Sequence, residues 1–258
     1  MIKGIVFFDL DGTLLDKRSH LNTANREALF KLTENGYLPV VVTGRAPWEI
    51  RELTAGGDIH SYIGLNGQIV FNQKIVYQST IEKEIIEEVV LLSNRLNHPL
   101  AFYGKETSKI TAIDEAAVRL YQLDNAALPE IMPTFYRKED ILMLYLFSKD
   151  EEKDQLYQTL FGNYLTIIRD TPFSVAMTAI GNSKKTGIKN LMNSLSLKEN
   201  VPTYAFGDGN NDLPMFEAVD YRIAMGNGTD KIKKAADFVT KSNEDGGIIH
   251  GLHHLNLI

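Results

Sequence analysis

The chain has 258 residues, 44% of them apolar and 23% charged, with a net charge of −6 and no cysteine. This is globular composition with room for one large or two modest domains, and the missing cysteines exclude disulfides, thiolate catalysis and Cys-ligated zinc. An acidic chain with no basic face argues against nucleic acid or an anionic membrane as partner, and no apolar run approaches a membrane span or a secretory leader, so a cytoplasmic protein is expected.

Residues 5–8, Ile-Val-Phe-Phe, are β-branched or aromatic and too few for a helix, which predicts a buried strand. The strand runs into Asp9-Leu10-Asp11-Gly12-Thr13. Strand alternation would send Asp9 and Asp11 to one side, at the carboxyl end where open α/β sheets place ligands. Two crowded carboxylates repel unless they share a cation or a proton, and fold stability alone gives no reason for the crowding. Residues 22–34 carry Ala24, Ala28, Leu29 and Leu32 at helical spacing and stop at Asn35-Gly36. Residues 37–42 form a second apolar strand ending at Thr43-Gly44-Arg45. A hydroxyl and exposed amides there can bind an anion, and Gly44 lets the backbone approach it closely. A helix begins over residues 47–53, and residues 61–65, 68–71 and 74–77 read as short strands with turns at Asn66-Gly67 and Asn72-Gln73.

The pattern changes near residue 80. Residues 82–96 are an amphipathic helix, 99–103 and 108–113 strands, 115–123 a helix, 141–147 a buried strand, 151–161 a helix, and 165–169 and 173–179 paired strands. From residue 184 alternation returns: helix 185–195, strand 202–206, a helix over 213–218, strand 221–225, helix 230–236 and strand 237–240. One grammar on both sides of another predicts an α/β fold: a Rossmann-like core with a mostly parallel sheet over residues 1–80 and 184–258, interrupted by an α+β unit over 81–183.

Gly207-Asp208-Gly209-Asn210-Asn211-Asp212 crowds two carboxylates and two carboxamides into a turn after an apolar strand. Asp212 falls in a first helical turn, where the dipole favours an acid, and turn and capping duties suit the same residues. Ser183-Lys184 precedes a helix, and Lys185 leaves open which lysine matters. Asp9, Asp11 and Asp208 make a hard oxygen set suited to Mg²⁺, with Thr43 and Lys184 on the positive side. Acids for a metal, donors for a phosphate and a carboxylate able to attack point to phosphoryl transfer.

In their order and spacing these segments resemble the motifs of the haloacid dehalogenase-like (HAD) superfamily, and specifically its Cof-type phosphatases with a mixed α/β cap. Asp9-Leu10-Asp11-Gly12-Thr13 is similar to the first motif, Val42-Thr43-Gly44-Arg45 to the second, Ser183-Lys184 to the third and Gly207 through Asp212 to the fourth. The likeness covers essentially the whole chain, and Asn66-Gly67 resembles a recurrent turn of the branch. Lys185 departs from the pattern, which usually has Gly after the third-motif Lys.

The resemblance implies that residues 81–183 are an inserted cap domain. It also implies a Mg²⁺-dependent phosphatase of small phosphomonoesters (sugar phosphate, nucleotide or cofactor-type phosphate). Asp9 would attack phosphorus to form an aspartyl-phosphate, and Asp11 would serve as general acid and then base. Mg²⁺ would be held by Asp9, the Asp11 backbone carbonyl and Asp208. The Leu10 amide, Thr43, Gly44, Lys184 and Asn211 would hold the phosphoryl oxygens, and Asp212 would orient Lys184 or metal-bound water. The alternatives are a sugar-phosphate mutase or phosphotransferase on the same scaffold, or a non-catalytic phosphometabolite-binding protein, against which the full set of acids speaks. The expected partner is a small phosphorylated metabolite, with neither nucleic acid nor membrane, and the expected state a monomer or homodimer. Tyr103, Lys105, Arg119 and Tyr121 are cap residues that could face the substrate.

Overall fold

The computed structural model describes residues 2–123, 126–195, 197 and 201–258. They fall into two compact units, one built from residues up to Arg45, Glu49–Tyr77 and Ser183–Ile258, the other from Ala46–Trp48 and Gln78–Asn182. In chain order the elements begin with β1 (Gly4–Phe8), α1 (Thr23–Glu34), β2 (Tyr37–Val42), α2 (Pro47–Leu53), β3 (Ser61–Gly64), β4 (Ile69–Asn72) and β5 (Lys74–Gln78). There follow α3 (Lys83–Leu96), β6 (Leu100–Tyr103), β7 (Ser108–Ile110), α4 (Glu115–Leu123), β8 (Met143–Phe147), α5 (Glu151–Phe161), β9 (Leu165–Thr171) and β10 (Ser174–Ala179). The chain closes with α6 (Lys184–Ser194), β11 (Thr203–Gly207), α7 (Leu213–Phe216), β12 (Tyr221–Ala224), α8 (Asp230–Ala235), β13 (Phe238–Val239) and α9 (Gly247–His254).

The first unit holds an eight-stranded sheet in the order β13-β12-β11-β1-β2-β3-β4-β5. Pairing is parallel from β13 to β3, and β4 turns back antiparallel on β3. Every residue of β1 is buried, as expected of a strand covered by helices on both faces. Its side chains alternate between two cores. Val6 and Phe8 pack with Leu29 and Leu32 of α1 and Ile248 and Leu252 of α9. Ile5 and Phe7 pack with Ile188 and Leu191 of α6, Met215 and Phe216 of α7 and Ile232 of α8. The unit is therefore a helix–sheet–helix sandwich, the α/β core that the alternating grammar predicts. Helix α9 lies in a stretch where the sequence pattern predicts no element. Phe8 pairs with Val41 on one side and Phe206 on the other, so the turns leaving β1, β2 and β11 start side by side. The order reverses direction at β1, where doubly wound sheets open a ligand crevice.

The second unit is the separate mixed unit expected, an antiparallel five-stranded sheet in the order β7-β6-β8-β10-β9. Ile86 and Val89 of α3 and Tyr157 and Phe161 of α5 cover one face through Phe102, Leu144, Leu146 and Met177. The Tyr103 and Tyr121 hydroxyls lie 3.0 Å apart and both residues are buried, while Arg119 pairs with Glu115 at 2.7 Å and Lys105 with Glu106 at 4.0 Å. No helix among the described residues is long and apolar enough to cross a membrane.

In this unit His98 sits with Nδ1 3.2 Å from the Tyr157 hydroxyl and Nε2 3.3 Å from Ser148 Oγ. Burial holds its imidazole below the ordinary value, only partly offset by Asp150. The folded state thus disfavours the protonated ring: stability is full above the unfolded value of 6.5 and falls as pH drops through it, because the unfolded chain takes up the proton first. Thermal melts between about pH 7.5 and 5.5 should show this decline, flattened in His98→Gln. An identical slope in the variant would assign it to other groups.

Candidate active site

Strand β1 ends at Phe8, and the Asp9 amide still donates to the Phe206 carbonyl at 3.0 Å. Residues Leu10–Leu14 then coil into a tight turn, with Gly12 at φ +77°. The two aspartates take different partners, while the Asp11 charge still acts on both Asp9 and Asp208. Asp9 is buried. Asp11 is half exposed and accepts two hydrogen bonds from the Arg45 guanidinium, Nε to Oδ2 and Nη2 to Oδ1, at 2.9 Å each. A Cβ on Gly12 would collide with Asp208 Oδ2, so only glycine lets this turn lie against that carboxylate.

Lys184 opens α6 behind a capping box: Ser183 Oγ accepts from the Thr186 amide at 3.2 Å and Thr186 Oγ1 from the Ser183 amide at 2.8 Å. Fixing the helix start aims Lys184 inward, where its Nζ donates to Asp9 Oδ1 at 2.5 Å and to Asp212 Oδ1 at 2.6 Å. Lys185 points out to Glu217 at 3.0 Å, so Lys184 is the lysine of the cluster. Asp212 is fully buried, and its Oδ2 accepts from the Asp208 and Gly209 amides at 3.0 Å each, closing the turn after β11. Asp208 Oδ1 accepts from Thr13 Oγ1 at 3.3 Å. Thr43 is buried and its Oγ1 accepts from the Arg45 amide at 3.2 Å. Gly44 follows it, Leu10 leads the turn after Asp9, and Asn211 is exposed beside Asp212.

Three partners escaped the sequence reading: Arg45 for Asp11, Thr13 for Asp208, and Asn227, whose Nδ2 donates to the Gly12 carbonyl at 2.8 Å. Arg45 and Thr13 stand in loops the sequence singles out, but the pairings join distant segments and leave no local signature.

Asp9, Asp208 and Asp212 each bring one carboxylate oxygen within 4.8 Å of the others. Burial, then repulsion from Asp212, pushes Asp9 well above the usual carboxylate range, against the opposing pull of Lys184. Burial and Asp212 likewise raise Asp208 to about 6, against the Thr13 hydrogen bond and Lys184. Burial works against the Lys184 ammonium, but the charges of Asp212 and Asp9 outweigh it and raise its pKa. One ammonium thus faces three carboxylates, a deficit of positive charge that a divalent cation would fill. The all-oxygen donor set suits Mg²⁺. Asp212 already commits both oxygens, to Lys184 and to two amides, which leaves Asp9 and Asp208 as the side chains able to hold a metal.

The chain is similar to known hydrolases. A profile of the haloacid dehalogenase-like hydrolases matches residues 6–252. YkrA of Bacillus subtilis (strain 168) is 32% identical over 257 residues, spanning 98% of each chain. The 5-amino-6-(5-phospho-D-ribitylamino)uracil phosphatase YwtE of the same bacterium is 28% identical over 288 residues, spanning 97% of each. The solved structure of BT1666 from Bacteroides thetaiotaomicron, described among phosphatases of the HAD superfamily, superposes with a TM-score of 0.87 at 25% identity, covering 100% of this chain and 96% of that one. With this fold, this cluster and these relatives, the chain belongs to the haloacid dehalogenase-like hydrolases, as a phosphatase of their Cof-type branch.

Proposed function

We propose that the chain hydrolyses small phosphomonoesters, in a Mg²⁺-dependent reaction, through a phosphoryl group carried on Asp9. The observation that carries this reading is the buried Asp9 carboxylate, one oxygen held by Lys184 at 2.5 Å and the other left to attack. Lys184 fixes Asp9 and offsets its charge, and Asp212 fixes Lys184. Asp9 attacks phosphorus in line, the bond from phosphorus to the ester oxygen breaks, and Asp11 gives its proton to the leaving alcohol. Water then cleaves the acyl phosphate, giving its proton to Asp11 and releasing inorganic phosphate. The Arg45 guanidinium now occupies both Asp11 oxygens, so Asp11 must leave that pairing and take up a proton before it can act as the acid. The Leu10 amide, Thr43, Gly44, Lys184 and Asn211 receive the phosphoryl oxygens. Mg²⁺, held by Asp9, Asp208 and the Asp11 backbone carbonyl, would offset the charge on the transferring group. The inserted unit, as a cap over residues 81–183, would choose the leaving group. YwtE's named substrate carries its phosphate on a ribityl chain, which supports sugar-like and cofactor-type phosphates as the class to test first.

The test is phosphate release by purified protein from a panel of sugar, nucleotide and cofactor phosphates and an aryl phosphate, with Mg²⁺ and after chelation. Release that stops on chelation and returns with Mg²⁺ is the expected result. An isomeric sugar phosphate formed without free phosphate would replace the reading with a mutase, and ligand binding without turnover would replace it with a binding protein.

A further inference from the structure

The turn between β3 and β4 runs through left-handed backbone at three residues in succession. Leu65, Asn66 and Gly67 have consecutive positive φ values of +50°, +54° and +100°, a conformation uncommon for side chains other than glycine and rarer still for leucine. Leu65 is fully buried. The turn is tied to the second motif on one side: the Leu65 amide donates to the Arg45 carbonyl and the Asn66 amide to the Thr43 carbonyl, at 3.0 Å each. On the other side Gly67 lies so close to Ser183 that a Cβ would collide with the Ser183 carbonyl oxygen. The turn therefore brackets both segments assigned to phosphate binding, Thr43-Gly44-Arg45 and Ser183-Lys184.

Within this bracket the Asn66 carboxamide makes no hydrogen bond to any described residue. Its Nδ2 and Oδ1 lie 3.4 and 3.5 Å from where a Cβ on Gly44 would stand, so the missing side chain of Gly44 opens onto the carboxamide. Strain of this kind persists where the surroundings over-determine it, and it clusters at ligand sites. We propose that Asn66 is a substrate-binding residue: its carboxamide, held beside Gly44, donates a hydrogen bond to the phosphate group bound at Thr43 and Gly44. This assignment rests on the phosphatase reading above.

The competing account is that asparagine stands here only because it tolerates left-handed backbone. Asn66→Gly separates the two, since glycine adopts that backbone without steric cost and deletes the amide. Loss of a hydrogen bond to a charged group predicts kcat/KM lower by about 10- to 100-fold, carried mainly by KM, with the melting temperature unchanged or raised. Calorimetric affinity for inorganic phosphate in Mg²⁺ buffer should weaken in proportion, a readout that needs no turnover. Asn66→Asp keeps the backbone tolerance but sets a carboxylate against the phosphate, and should bind it more weakly still. Wild-type phosphate affinity in Asn66→Gly would overturn the assignment and leave the residue to the turn alone. A wild-type protein that binds phosphate but hydrolyses no ester would overturn the phosphatase reading and not the binding role.

Discussion

Asp9→Asn should lower phosphate release by about 10⁴-fold or more while leaving the fold intact and, without divalent metal, no less stable. The loss follows from chemistry, since an amide oxygen is no nucleophile toward phosphorus. The stability result follows from the sign of the electrostatics. Burial and Asp212 raise the folded value for Asp9, so the fold disfavours its ionised form. The stability this group contributes is present below its unfolded value and is lost as pH rises through the folded one. The wild-type protein therefore loses stability as pH rises that the isosteric amide, with no proton to lose, keeps, and Lys184 keeps Asp212 as a partner. Melts in chelator should place Asp9→Asn at or above wild type, and Mg²⁺ should raise the wild-type midpoint more than the variant's. Retained turnover would refute Asp9 as nucleophile, and a large drop in stability would show that the Lys184 pair outweighs the crowding.

Lys184→Met should be the most damaging single change for the fold. It leaves Asp9 and Asp212 buried without a counter-charge, and removing one partner from a buried ion pair costs about 3–5 kcal/mol. Activity should fall by about 10²-fold or more, because a preorganised positive charge at the transferring group is lost. Lys185→Met is the control: its pairing with Glu217 is exposed, and its stability should stay within about 0.5 kcal/mol of wild type. Denaturant unfolding of the three proteins checks the contrast. A Lys184→Met chain as stable as wild type would show that the cluster holds a shared proton in place of two charges.

How much of this was legible in the sequence depends on whether the signal was local. The run from Ile5 to Asp9 announces a buried strand ending in a carboxylate, and the turn from Gly207 to Asp212 announces another, so two corners of the cluster can be read from short windows. The choice of Lys184 over Lys185 comes in the sequence only from the motif resemblance; in the structure it is made by the Ser183–Thr186 capping box, which sets the phase of a helix. Helix α9 hid behind its glycines, which lower helix propensity. Gly251 is there because a Cβ would press into the Phe206 ring, a reason visible only once β11 is in place. The Asp11–Arg45 pair bridges two loops, and the left-handed turn at Leu65 contradicts the local preference of its residues. Such departures are expected where function overrides propensity.

The place of β1 in its sheet has a consequence for how the chain is made. The strand that delivers Asp9 is flanked by β2, synthesised soon after it, and by β11, synthesised long after both. The contacts that complete the cluster span 175 residues for Asp9–Lys184 and 195 for Thr13–Asp208. Until β11 has emerged from the ribosome, β1 keeps one apolar edge unpaired, the kind of edge that invites association with other chains. Catalytic competence is then a late, all-or-none event in biosynthesis, and nascent chains stalled before β11 would be both inert and dependent on protection from their neighbours.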